Sequence, residues 1–136
     1  MSIAGAWHNE LGSKMLLTPD GSSLRGIYET EVGDAKGIYN LLGGIFSSDT
    51  QDPKVQAVGF VVAWVNEHKT SNSVTSWSGQ YHVDEDKIFT QWLLTMGTSS
   101  GNEWESTLIY HDVFTRIPPT AEQSALRLKR GPRPHP

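Results

Sequence analysis

The sequence predicts an all-β protein, an eight-stranded antiparallel up-and-down barrel. Three observations carry that prediction. Turn signals recur at short, fairly regular spacing along the 136 residues, as in an antiparallel meander. The stretches between them alternate apolar and polar residues with a period of two, and no long helical pattern interrupts them. The composition agrees, because 13 glycines, five tryptophans and 19% charged residues suit strands and turns better than a helical bundle. Eight short strands close into a barrel without leaving an unpaired edge. A two-sheet sandwich is the alternative architecture.

The turn signals are PDGSS, VGDAKG, SSDTQDPK, NEHKTSN, VDEDK and GTSSGN. The first is the strongest, with Pro and Gly where a turn needs them. The expected strands are Gly5–Leu11, Lys14–Thr18, Ser23–Val32, Tyr39–Phe46, Ala57–Asn66, Ser73–His82, Lys87–Thr95 and Trp104–Thr115. In the first, Trp7, Asn9 and Leu11 face one way and His8 and Glu10 the other. In the third, Tyr28, Thr30 and Val32 oppose Glu29 and Glu31. The fifth breaks the rule. Val58, Phe60, Val62 and Trp64 share one face while Val61, Ala63 and Val65 share the other, and a strand apolar on both faces must bury both. With no helix to cover the outer face, a second subunit is the simplest cover. The eighth strand agrees, since Ile109, His111 and Val113 point away from Leu108, Asp112 and Phe114. After Arg116 the chain changes character. Thr120 with Gln123 fits a capping box, so a short helix is one reading and a frayed tail the other. The expected division is a barrel over residues 1–119 and a basic, proline-containing tail over 120–136.

Charge and composition exclude several classes of function. The last ten residues, RLKRGPRPHP, hold four of the 11 basic residues and no acid. The body keeps seven basic against 15 acidic residues, which argues against a broad phosphate-binding surface and a nucleic-acid partner. The tail itself is read as solvated. No apolar run approaches the ~20 residues that cross a bilayer, so no membrane partner is expected. The opening MSIAGAWHNE lacks the basic-then-apolar pattern of a signal peptide. Without cysteine there is no disulfide or thiolate metal site, and the compartment is not read from redox chemistry.

Alternation assigns an unusual set to the interior: Trp7, Asn9, Tyr28, Thr30, Trp64, Ser73, Thr75, Trp77, Tyr81, Trp92, Leu94 and Asp112. Each unpaired buried polar group costs on the order of 1–3 kcal/mol. A single Ser or Thr is best read as satisfied by its neighbours. The whole set, spread over six strands, is better explained by a pocket for a small ligand that has both donors and acceptors. Asn9, Ser13 and Tyr28 are able to donate to one carbonyl oxygen, whereas Asp112 and Thr30 are able to accept from N–H groups. A cyclic urea presents that arrangement, and the tryptophans would wall in an apolar remainder. Catalysis has weaker support. His111 and Asp112 are neighbours on a strand and face opposite ways, no G-x-S-x-G elbow occurs, and the histidines lack zinc-ligand spacing. The run Asp84, Glu85, Asp86 reads as a solvated hairpin turn. A carbohydrate-binding module is the rival reading, although it expects tryptophans on an exposed platform.

Six blocks carry a family resemblance: WHNELGS, GIYETEVGD, VAWVN, SVTSWSGQY, TQWLLT and WESTLIYHDVFT. Together, in order from Gly5 to about Pro119, they resemble the avidin–streptavidin family of biotin-binding proteins. The resemblance implies a non-catalytic, high-affinity biotin site with no cofactor. It implies that Asn9, Ser13 and Tyr28 hold the ureido oxygen and that Asp112 and Thr30 take the two N–H groups. Thr75 would meet the ring sulfur. Trp64, Trp77, Trp92 and Leu94 would pack around the bicycle and valeryl chain. Ser73, with Ser71 nearby and the loop from Val32 to Asp34, would handle the carboxylate end. Trp104 would reach a neighbouring subunit's site in a homotetramer. The resemblance suggests a secreted protein, although the opening residues carry no signal-peptide pattern. Two departures stand out: Asp34 replaces an Asn and should repel the ligand carboxylate modestly, and Phe60 replaces a Trp of the barrel wall.

Overall fold

The computed structural model describes residues 2–30, 37–49, 51–65 and 72–130, with side chains to 126. It contains eight strands: β1 (Gly5–His8), β2 (Lys14–Asp20), β3 (Ser23–Thr30), β4 (Gly37–Phe46), β5 (Val55–Ala63), β6 (Ser73–His82), β7 (Lys87–Met96) and β8 (Thr107–Phe114). Every strand pairs antiparallel with its sequence neighbour, in the order β1 to β8, within one curled sheet. The two edges meet where His8 and Thr115 exchange both backbone hydrogen bonds, each 2.8 Å. An all-β, up-and-down barrel is therefore the fold, and the sandwich is set aside.

Several boundaries differ from the sequence expectation for identifiable reasons. β1 stops at His8 because the Asn9 side chain takes over the chain direction. Its Oδ1 accepts from the backbone N–H groups of Leu11 (3.1 Å) and Ser13 (3.0 Å), a local turn that competes with a ladder. Gly12 completes it at φ +90°, a conformation open to glycine at little cost. β2 runs on to Asp20, past Pro19, because the hairpin to β3 is only two residues long, with Gly21 at φ +60° as its first turn residue. β8 starts at Thr107 rather than Trp104, since Glu103–Glu105 form a 3-10 turn. The chain ends in α1 (Ala121–Arg130), opened by a reciprocal cap. Gln123 N–H donates to Thr120 Oγ1 (3.1 Å) and Thr120 N–H to Gln123 Oε1 (2.9 Å), as a capping box requires. No helix among the described residues is long and apolar enough to cross a membrane.

The period-two alternation sets the core. Trp7, Met15, Tyr28, Leu41, Val62, Trp77, Trp92 and Phe114 are all buried inside the sheet. At Gly43 β4 and β5 approach so closely that a Cβ would lie 2.7 Å from the Phe60 Cα. The Phe60 ring is buried and stacks on Trp77 with centroids 5.0 Å apart.

One end of the barrel is closed by a polar plug. The Arg116 guanidinium lies 3.7 Å from the Trp7 ring centroid. It donates to the carbonyls of Ser2 (2.6 Å), Ala4 (2.9 Å) and Ala6 (3.3 Å) and through Nε to Asp86 Oδ2 (3.1 Å). Tyr81 Oη donates to the other Asp86 oxygen at 2.7 Å. Burial, and then the Asp86 carboxylate, push the Tyr81 hydroxyl up to about 12. Burial acts to raise Asp86 as well, but the Tyr81 and Arg116 contacts outweigh it and hold the carboxyl below its ordinary range. The reading of Asp84 to Asp86 as fully solvated is thus corrected at its last member. Asp86, at φ +52°, turns its carboxylate into the plug.

Arg116→Ala should destabilise the fold by about 2–3 kcal/mol, because it orphans several carbonyls and a partly buried carboxylate. A urea midpoint unchanged at fixed protein concentration would contradict this. The Asp86 contribution has a pH signature. Its folded value is depressed, so its stabilisation is present above the ordinary carboxylate range and lost as the pH falls through the folded value.

Candidate ligand-binding site

The up-and-down order makes β1, β3, β5 and β7 finish, and β2, β4, β6 and β8 begin, at the end opposite the plug. Asn9, Ser13, Thr30, Ser73 and Thr75 stand at or near this end of their strands, whereas Thr90 and Asp112 lie nearer the plug end of theirs. Asn9 and Ser13 bracket the β1–β2 turn and both are buried. With its Oδ1 committed to the turn, Asn9 directs Nδ2 to the Tyr28 hydroxyl at 3.3 Å. Ser13 Oγ reaches Thr30 Oγ1 at 3.5 Å. Burial first, and then the charge of Asp112, raise Tyr28 well above the ordinary phenol, against a smaller opposite effect of Ser13. Tyr28 therefore keeps its proton and remains a donor.

Aromatic rings enclose this polar group. Trp77 on β6 sits across from Trp92 on β7, with Tyr28 5.1 Å away. Trp64 stands edge-on to Tyr28 at 5.5 Å and to Tyr39 at 5.0 Å. Two of these indoles, Trp64 and Trp77, are anchored by their N–H groups. Trp64 Nε1 donates to Thr75 Oγ1 at 2.8 Å and Trp77 Nε1 to Asp112 Oδ2 at 3.3 Å. Leu94 is buried opposite Thr75 in the β6–β7 register. The backbone of Asp112 is itself held, its carbonyl accepting from Thr90 Oγ1 at 2.9 Å. Ser73 is half-buried at the start of β6, where its carbonyl accepts from Trp64 N–H at 3.0 Å.

Of the residues singled out in the sequence, Asn9, Ser13, Tyr28, Thr30, Trp64, Thr75, Trp77, Trp92, Leu94 and Asp112 are all buried in the barrel. Ser73 stands at its rim. Trp104 is not brought to this chain's own interior: it lies on the 3-10 turn and is 81% exposed. Val32, Asp34 and Ser71 lie outside the described residues. His111 is exposed and Asp112 buried, so the adjacent pair does not share a face. Sequence reasoning missed Tyr39 and Thr90. Both continue the inward alternation of their strands, Tyr39 with Leu41 and Thr90 with Ile88 and Trp92, and that period was the available signal.

A cleft of about 570 Å³ lies elsewhere, outside the sheet, between its closing seam and α1; His8, Val113, Pro118 and Leu126 help to line it. Of the buried polar residues only Asn9 borders it, so the interior set is the stronger candidate site. No cluster of His, Asp or Glu suited to a metal ion occurs among the described residues.

Fold and inner face together define a class: a small antiparallel barrel whose interior carries a polar set enclosed by aromatic rings. The chain belongs to the avidin family, whose sequence pattern matches residues 1–117. It is 32% identical to avidin-related protein 4/5 of Gallus gallus over 124 residues, 85% of this chain and 78% of that one. Against Gallus gallus avidin the identity is 29% over 123 residues, with 85% and 78% covered. Afifavidin of Afifella pfennigii is 32% identical over 126 residues, 85% of this chain and 70% of that one.

Proposed function

We propose that the chain binds biotin, one molecule per barrel, and catalyses no reaction on it. The observation that carries the reading is the buried set of donors and acceptors. Asn9, Ser13 and Tyr28 converge as donors, with Thr30 and Asp112 inside the same ring of aromatics. A ureido oxygen accepts from the first three and its N–H groups donate to the last two. Thr75, already an acceptor for Trp64, keeps its hydroxyl proton for the thioether sulfur. Trp64, Trp77, Trp92 and Leu94 contact the bicycle and chain, and Ser73 serves the carboxylate end. Calorimetry with biotin, followed in parallel by tryptophan fluorescence, should return one site per chain. Absence of both heat and fluorescence change would sink the reading, and a glycan panel would then test the carbohydrate alternative. That alternative is disfavoured by the burial of Trp7, Trp64, Trp77 and Trp92.

The active form we propose is a homotetramer. Leu42, Val61, Ser76, Leu93 and Ile109 follow one another in cross-strand register over the outer face of β4 to β8. Four of the five are large hydrophobics, with Leu42 59% and Ile109 70% exposed. Val65 and Trp104 are exposed large hydrophobics as well. Patches this continuous mark interaction surfaces, and a dihedral tetramer supplies more than one interface for them.

A further inference from the structure

The hydroxyl of Tyr39 is buried and has no hydrogen-bond partner among the described residues, and neither the fold nor the ureido-binding set uses it. Tyr39 faces Tyr28 in the β3–β4 register. The β4–β5 register continues from Leu41↔Val62 to set Tyr39 beside Trp64, and Trp64 in turn is hydrogen-bonded to Ser73. These four residues form one layer across the barrel wall, running from the ureido-binding tyrosine to the rim serine. The Tyr39 ring lies over Gly37, the first residue of β4. Its Oη is 3.6 Å from where a Gly37 Cβ would stand, so the hydroxyl points along the strand towards the open end.

We propose that Tyr39 is a further ligand-binding residue of this barrel, donating its hydroxyl hydrogen to the carboxylate at the tail of the bound ligand. The inference rests on the biotin reading and extends it. A tail that runs from Tyr28 towards the open end passes this layer. No lysine or arginine is among the buried residues described, so a carboxylate there depends on neutral donors. Burial holds the Tyr39 phenol above its ordinary value, which keeps the proton available for donation.

Tyr39→Phe removes the hydroxyl and keeps the ring. The unliganded variant should unfold at the same temperature as the parent or higher, since it loses a buried polar group without a partner. Its affinity for biotin should fall by roughly ten- to a hundredfold, as for a hydrogen bond to a charged acceptor. An analogue with the same bicycle but a chain ending in a methyl group should lose less than about twofold, having no acceptor to lose. Equal losses on both ligands, or no loss on biotin, would overturn the assignment while leaving biotin binding intact. Failure of the parent protein to bind biotin at all would overturn both.

Discussion

Asp112→Ala is expected to weaken biotin binding by tens to hundreds of fold while the barrel stays folded. The carboxylate is buried among rings and already accepts from the Trp77 indole at 3.3 Å. In such a site a hydrogen bond from a ligand N–H to a charged acceptor is worth about 1.5–3 kcal/mol, and each 1.4 kcal/mol is about tenfold in affinity. The substitution also strips Trp77 of its acceptor, so the indole loses its anchor beside the ligand. Asp112→Asn separates the two effects, because an amide oxygen still accepts but carries no charge. Its affinity should fall between parent and alanine variant. The readout is the biotin dissociation rate, with circular dichroism to verify the fold. A rate unchanged in the alanine variant would assign Asp112 to structure alone.

The second large effect concerns Trp104. Its indole projects into solvent from a single chain, 81% exposed, although a buried aromatic of this size contributes about 1.5–3 kcal/mol. Trp104→Lys places an ammonium where a neighbouring chain would press on an apolar ring. The assembly should shift from tetramers towards dimers, and biotin should leave about ten- to a hundredfold faster. Mass by light scattering and the dissociation rate must move together. A variant that remains tetrameric and releases biotin at the parent rate would refute a site shared between chains.

The inner face of the barrel was legible in the sequence because a pleated strand has only two sides. Once Trp77 is inside, Thr75 and Ser73 follow by counting in twos, and the same count reaches Tyr28 and Thr30. Asp112 was separable from His111 on that ground alone. What counting does not reach is the chain where it leaves the ladder. Asn9 was placed on a strand, and its inward direction held, but it turns the chain with its own side chain. Trp104 was placed at the head of a strand and belongs to a 3-10 turn. The plug was hidden for a different reason: Arg116 and Asp86 are 30 positions apart and meet through the β7–β8 register, while only closure of the sheet lays Arg116 over Trp7 of β1. Tyr39 was visible in the pattern, yet a lone tyrosine at a strand start is indistinguishable from ordinary core until its hydroxyl is seen to lack a partner.

Closure of one end by Arg116, Asp86 and Tyr81 has a kinetic consequence. For a ligand held inside the barrel as proposed, a plugged end leaves a single doorway, so arrival and departure trace one path in opposite directions. A bulky substitution at the rim that touches no ligand would slow both rates by the same factor and leave the equilibrium constant where it was. Only groups that grip the bound molecule lengthen its stay without delaying its capture. The blind end, where Ser2 and Ala4 are tied down by Arg116, is accordingly the place to attach a dye or surface tether without obstructing traffic.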